Sequence, residues 1–141
     1  MKPNRQEMLE RFFHEYASLS RGEEPEKLAA FYEESFLVAG PSGGATFKND
    51  QSFLAWLRDM RTFNAQTGMT SMTAGEIFET PVGAGYSLAT VTWAATFAKT
   101  GDTAIRFQIS YLLRDTGTQL KVAAYISHED QQESMLAHGL L

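Results

Sequence analysis

An α+β domain, helices first and antiparallel sheet second, is the fold class this sequence predicts. Two observations carry that expectation. In the first half of the chain apolar residues recur at helical spacing, and from Gly68 onward they alternate in runs rich in β-branched and aromatic residues, separated by turn segments. A third observation sets the size. With 141 residues, 43% of them hydrophobic, the chain is long enough to bury a core of its own, which predicts one domain over residues 1–141.

Each element can be justified in turn. Residues 5–20 place Met8, Leu9, Phe12, Tyr16 and Leu19 on one side of a helix, with Glu7, Arg11, Glu15 and Ser18 around the rest. Arg21 and Gly22 end it. Pro25, at a first-turn position, opens a short second helix with Leu28, Phe31 and Tyr32 as its apolar face, antiparallel to the first. The run "FLVA" is a short strand broken by "VAGPSGG", and "ATFKN" returns as a second one. Asn49 or Asp50 then caps a third helix whose stripe is Phe53, Trp56, Leu57, Met60 and Phe63. "MTSMTAGEIFET", "GYSLATVTWAATFAK", "TAIRFQISYLLRD" and "QLKVAAYISH" are strands of an antiparallel meander, divided by "PVGAG", "TGD" and "DTGT". The tail 129–141 reads as a short helix, and no linker or repeat interrupts the chain.

Composition excludes several classes of function. A net charge of -5 opposes nucleic-acid binding, which needs a basic face. The absence of cysteine removes disulfides, thiolate metal sites and cysteine nucleophiles, and favours a reducing compartment. No apolar run has the length of a membrane span and the N-terminus lacks a secretory core, so a cytoplasmic protein without membrane contact is expected. "VAGPSGG" is a turn and not a phosphate loop. Pro41 fixes φ and Gly43 and Gly44 permit reversal, while the Gly-Lys-Ser/Thr that a phosphate loop requires is missing.

Strict alternation divides the last strands into two rows. Val91, Trp93, Ala95 and Phe97, then Ile105, Phe107, Ile109, Tyr111 and Leu113, then Leu120, Val122, Ala124, Ile126 and His128 form an apolar row expected to face the helices. The other row, mixed and lightly charged, holds Leu88, Thr90, Thr92, Ala94 and Thr96, then Arg106, Gln108, Ser110 and Leu112, then Lys121, Ala123, Tyr125 and Ser127. Water alone would favour more Lys and Glu there, so this second row is expected to form a homodimer interface through Leu88, Thr90, Thr92, Gln108, Ser110, Leu112, Ala123 and Tyr125.

The segments "YASLSRGEEPEKLAAFYEESFLVAGPSG" and "SYLLRDTGTQLKVAAYISHED" resemble the nuclear transport factor 2-like superfamily, in particular its SnoaL-like polyketide cyclases and ketosteroid isomerases. The resemblance spans nearly the whole chain. It implies a cystatin-like cone in which the sheet curls around three helices, a conical pocket between helices and sheet, and frequent dimerisation. It does not imply one reaction, since such folds host isomerases, dehydratases, cyclases and transport adaptors. In the isomerase branch a first-helix tyrosine donates to an enolate and an aspartate before a proline moves the proton. Tyr16 matches the tyrosine, but the residue before Pro41 is Gly40, and Ile109, Ser110 and Tyr111 supply no acid where a further carboxyl would stand. That mechanism lacks its base.

Tyr16 therefore reads either as a pocket donor or as a core tyrosine satisfied by backbone. His128, ending the last strand on the apolar row beside Glu129 and Asp130, is the candidate base, or else a capping residue. His14 faces solvent and His138 lies in the tail, so the histidines are too scattered for a metal site, and no G-x-S-x-G elbow occurs. Phe12, Trp56, Met60, Trp93, Phe107 and Tyr111 are expected to line the pocket or simply to fill the core. The functional expectation is a pocket for a small apolar or aromatic ligand, with no cofactor. Its chemistry, if any, would be dehydration or cyclisation with His128 as base and Tyr16 as donor. The alternative is a non-catalytic dimeric accessory protein whose cone is filled by its own side chains.

Overall fold

The computed structural model describes residues 4–22, 24–101, 103–130 and 136–137. Its elements run α1 (Arg5–Ser20), α2 (Pro25–Ala29), β1 (Tyr32–Gly40), β2 (Gly43–Lys48), α3 (Gln51–Gln66), β3 (Met69–Gly83), β4 (Tyr86–Phe97), β5 (Ile105–Asp115) and β6 (Leu120–Ser127). The fold is α+β, with the helices packed against one curved open sheet. The strand order is β2-β1-β6-β5-β4-β3, antiparallel except for the seam at which β1 runs parallel to β6. The expected tail helix falls largely on residues outside those described.

Asn4 caps α1 by accepting the Glu7 backbone N–H at 2.8 Å. The buried side of α1 is Leu9, Phe13, Tyr16 and Ala17, one residue round the cylinder from the expected stripe. The Phe12-Phe13 doublet presents two stripes about 100° apart, and packing chooses Phe13, whose ring meets Tyr111 at 4.9 Å and Trp93 at 6.2 Å. Phe12 is left half-buried and Met8 is 37% exposed.

Helix α2 is shorter than its expected apolar face. Phe31 lies beyond it and Tyr32 opens β1, because the Phe31 carbonyl accepts the Val122 N–H at 2.7 Å and strand pairing takes over from the helix. Asp50, not Asn49, caps α3, accepting from the Ser52 and Phe53 amides. The Asn49 side chain instead donates to the Ala29 carbonyl at 2.7 Å and the Tyr32 carbonyl at 3.3 Å, tying the entry of α3 to α2 and β1. Only Phe53 of α3 is buried, so most of this helix lies along an opening in the structure rather than inside its core.

"VAGPSGG" is the hairpin between β1 and β2. Gly40 pairs with Gly43 across Pro41 and Ser42, and Gly43 takes φ 121°. Gly44 is needed for another reason than the positive φ expected of it: a Cβ there would stand 2.9 Å from Ala39 Cβ.

The meander β3 to β6 follows the expected order. Along β4 burial alternates without a break, with Ala89, Val91, Trp93, Ala95 and Phe97 all inward. In β6 the alternation breaks. Leu113 pairs with Val122 and Leu112 with Ala124, so Ala123 is an extra residue, a β-bulge. Before it the even-numbered residues face the helices; after it the odd-numbered ones do, as the pairing of Tyr125 with the inward Tyr111 requires. The expected rows are therefore exchanged from Ala124 onward. Tyr125 and Ser127 turn inward, while Ala124, Ile126 and His128 turn to the outer face.

Candidate functional site

Between the helices and the inner face of the sheet lies a cavity of about 130 Å³. Its deep wall is formed by Tyr16 of α1, Tyr32 of β1, Trp93 of β4, and Ile109 and Tyr111 of β5, all buried. Its mouth is formed by Trp56, Met60, Arg61 and Asn64 on α3, Met69 and Met72 on β3, and by Phe107, Tyr125 and Glu129. Helical spacing aligns the α3 residues along the opening. An apolar cavity of roughly 150 Å³ admits benzene, whereas drug-sized pockets run to about 300 Å³ and more. The space here matches a single ring.

The polar groups of the deep wall are bonded to one another. Trp93 Nε1–H donates to the Tyr111 hydroxyl at 3.0 Å, and the Tyr16 and Tyr32 hydroxyls are hydrogen-bonded together. Among the described residues no buried side-chain nitrogen or oxygen lacks a partner. Burial pushes the Tyr16 phenol far above its ordinary range, against a smaller downward pull from hydrogen bonds with Tyr32 and Tyr111. Burial raises Tyr32 and Tyr111 well above it too. These hydroxyls are neutral at physiological pH, so the wall offers hydrogen bonds in an aromatic enclosure. Arg61 and Glu129, both at the mouth, are the charged residues among the described residues lining the cavity.

Six of the expected site residues meet here: Tyr16, Trp56, Met60, Trp93, Phe107 and Tyr111. Phe12 does not. It packs on Phe13 and Phe31, with ring centroids 5.0 Å and 4.9 Å away. His128 also lies elsewhere, exposed on the outer face with Nε2 2.6 Å from Ser110 Oγ, and its expected inward position is overturned by the bulge. The same bulge corrects Tyr125, expected outside and found at the cavity. Ala123 is the bulged residue itself, while Leu88, Thr90, Thr92, Gln108, Ser110 and Leu112 keep the outer face. There Thr90 bonds Ser110 at 2.8 Å and the Gln108 side chain donates to Thr92 at 3.3 Å. His14 is exposed and His138 lies outside the described residues.

Sequence reasoning missed Tyr32, Tyr125 and Glu129. Tyr32 was hidden by its assignment to α2, and the other two by a bulge that carries no local signature. Gly40, where the isomerase resemblance would require an acid, sits at the end of β1, where an added Cβ would be 3.8 Å from Ser127 Cβ. Among the described residues no cluster of His, Asp or Glu could hold a metal ion, and no helix is long and apolar enough to cross a membrane.

A curled sheet with helices on its concave side and a cavity between them defines a class of cone-shaped α+β proteins, and comparison places the chain within that class. The profile of the family described as NTF2-like protein (DUF6841) matches residues 4–130, and the chain belongs to this family. No curated protein matches it. Among solved structures it is similar to an NTF2-like protein with a cystatin-like fold from Novosphingobium aromaticivorans, at 18% identity and TM-score 0.67 over 96% of this chain and 88% of that one. ActVI-ORFA from Streptomyces coelicolor is similar at 14% identity and TM-score 0.68, over 91% and 99%. The beta subunit of benzoate 1,2-dioxygenase from Burkholderia mallei is similar at 11% identity and TM-score 0.66, over 94% and 95%. At these identities the likeness is one of fold.

Proposed function

We propose that this protein binds a small, largely apolar ring compound bearing an acceptor oxygen, with the Tyr16 hydroxyl as its polar anchor. The observation that carries the reading is the ring-sized cavity, whose deep wall holds a neutral, mutually bonded network of Trp93, Tyr111, Tyr16 and Tyr32. Tyr111 oxygen already accepts from the indole, and Tyr16 and Tyr32 share a hydrogen bond in which either hydroxyl can donate. With Tyr32 as the donor of that bond, the Tyr16 proton is left for a ligand. Dehydration or cyclisation with His128 as base finds no support in its position on the outer face, so the reading is one of binding, without a cofactor.

The test compares two probes of similar shape, acetophenone and isopropylbenzene, by thermal shift and calorimetry. Ligand binding to the folded state raises the melting temperature by mass action. Acetophenone is expected to bind more tightly by roughly tenfold, the scale of one net hydrogen bond, and Tyr16→Phe to erase that preference. A shift from neither probe would reject the reading.

One observation favours a second reading, a non-catalytic accessory protein acting through its outer sheet face. The described buried polar groups satisfy one another without a ligand, while the outer face presents Phe78, 67% exposed, in line with Thr90, Ser110 and Ile126. Beside that row run Leu88, Leu112, Ala124 and Leu37. On either reading a second copy of the chain is proposed to cover this face.

A further inference from the structure

Resting on the ring-binding reading, we infer that Glu129 is the residue that selects among ring compounds, favouring those with a hydroxyl or amino donor directed at the cavity mouth. Had β6 alternated regularly, His128 would have faced the cavity and Glu129 the outside; the extra residue at Ala123 exchanges them. Glu129 is then the one carboxylate among the described lining residues.

Its position is held from several directions. His128 N–H donates to the Gln108 carbonyl at 3.0 Å, continuing the ladder one residue beyond β6. Gln108 N–H turns to Glu129 Oε2 at 2.9 Å, so the side chain stands where the next ladder acceptor would be. Ser127 Oγ–H holds the Glu129 backbone carbonyl at 2.8 Å. A carboxylate is an acceptor with about four lone-pair sites, and the Gln108 amide occupies one. The remaining capacity lies at a mouth shared with Arg61, Asn64 and Tyr125 and otherwise walled by Trp56, Met60, Met69, Met72 and Phe107. A ring seated among these groups, its acceptor oxygen toward Tyr16, adds a hydrogen bond to Glu129 when it carries a donor at its other end. A ring lacking that donor forgoes this charge-assisted bond, while the exposed carboxylate keeps its water and the Gln108 amide.

The test uses 4-aminoacetophenone and 4-methylacetophenone, alike in shape and different in the donor, titrated calorimetrically into wild type, Glu129→Gln and Glu129→Leu. In wild type the amino compound is expected to bind roughly tenfold more tightly. Glu129→Leu is expected to bring that ratio to about one while changing the affinity of the methyl compound by less than about twofold, and Glu129→Gln, which keeps an acceptor oxygen for the Gln108 amide, to give an intermediate ratio. The ratio is the informative readout, because a residue that merely closes the ladder would weaken both probes alike. A ratio unchanged in both variants, or parallel loss of both probes, overturns the role of Glu129 and leaves ring binding standing. Failure of acetophenone and both of its derivatives to bind wild type overturns ring binding and this inference with it.

Discussion

At the residue scale the decisive group is the tyrosine set on the deep wall. Tyr16, Tyr32 and Tyr111 are buried among aromatic rings, and burial is the first cause of each raised phenol. A raised pKa in the folded state gives a stability contribution that is fully present below the unfolded value of 10.0 and is lost as pH rises through the folded one. Alkaline titration is therefore expected to show the phenolate absorbance of these three appearing together with loss of the circular-dichroism signal. Their ionisation well ahead of unfolding would contradict the burial. Trp93→Phe removes the donor to Tyr111 and leaves that oxygen inside the core, at an expected cost of about 1–3 kcal/mol in denaturant unfolding.

At the element scale, local chemistry starts and stops the helices while distant contacts hold them in place. Arg5, in the first turn of α1, reaches Glu79 on β3 through Nη2 at 2.6 Å and Nε at 2.9 Å. That bond holds the Glu79 carboxyl below its ordinary 4.5, so its contribution is present above that pH and is lost as pH falls through the folded value. Arg5 is 38% exposed, and water screens the pair. Glu79→Gln is expected to cost no more than about 1 kcal/mol near neutrality and to flatten the acid limb of a melting-temperature profile. The bulge makes a different prediction. Residues 124–127 already hold their register against β5, so deleting Ala123 leaves Tyr125 opposite Tyr111. Deleting Ala94 shifts part of β4 by one residue and turns its buried row outward. Thermal denaturation should show the Ala123 deletion as the milder of the two, and a reversed order would refute the register argument.

At the scale of the whole molecule, the question is what covers the convex face of the sheet. Its apolar rows, with Phe78, Leu37 and Ile126 exposed, suit a self-complementary contact. Wild type is expected to show twice the subunit mass in light scattering at micromolar concentration, and Leu112→Arg, placing a charge mid-face, to show one. A single-subunit mass for wild type would rule out the dimer. Acetophenone binding should survive in the Leu112→Arg variant, since that side chain points away from the cavity.

Much of this architecture was legible in the chain. Element order, the hairpin at Pro41 and the inward row of Val91, Trp93, Ile109 and Tyr111 all follow from local period and turn chemistry, because each depends on residues a few positions apart. Tyr16 and the α3 stripe of Trp56 and Met60 were legible for the same reason. The sequence could not say which residues of β6 face inward after Ala123, that Tyr32 leaves α2 to join the cavity wall, or that β1 lies parallel to β6. Those outcomes belong to pairing between strands far apart in the chain, and an alanine bulge leaves the local pattern unchanged. Tertiary pairing alone turned His128 out of the cavity and brought Glu129 to its mouth.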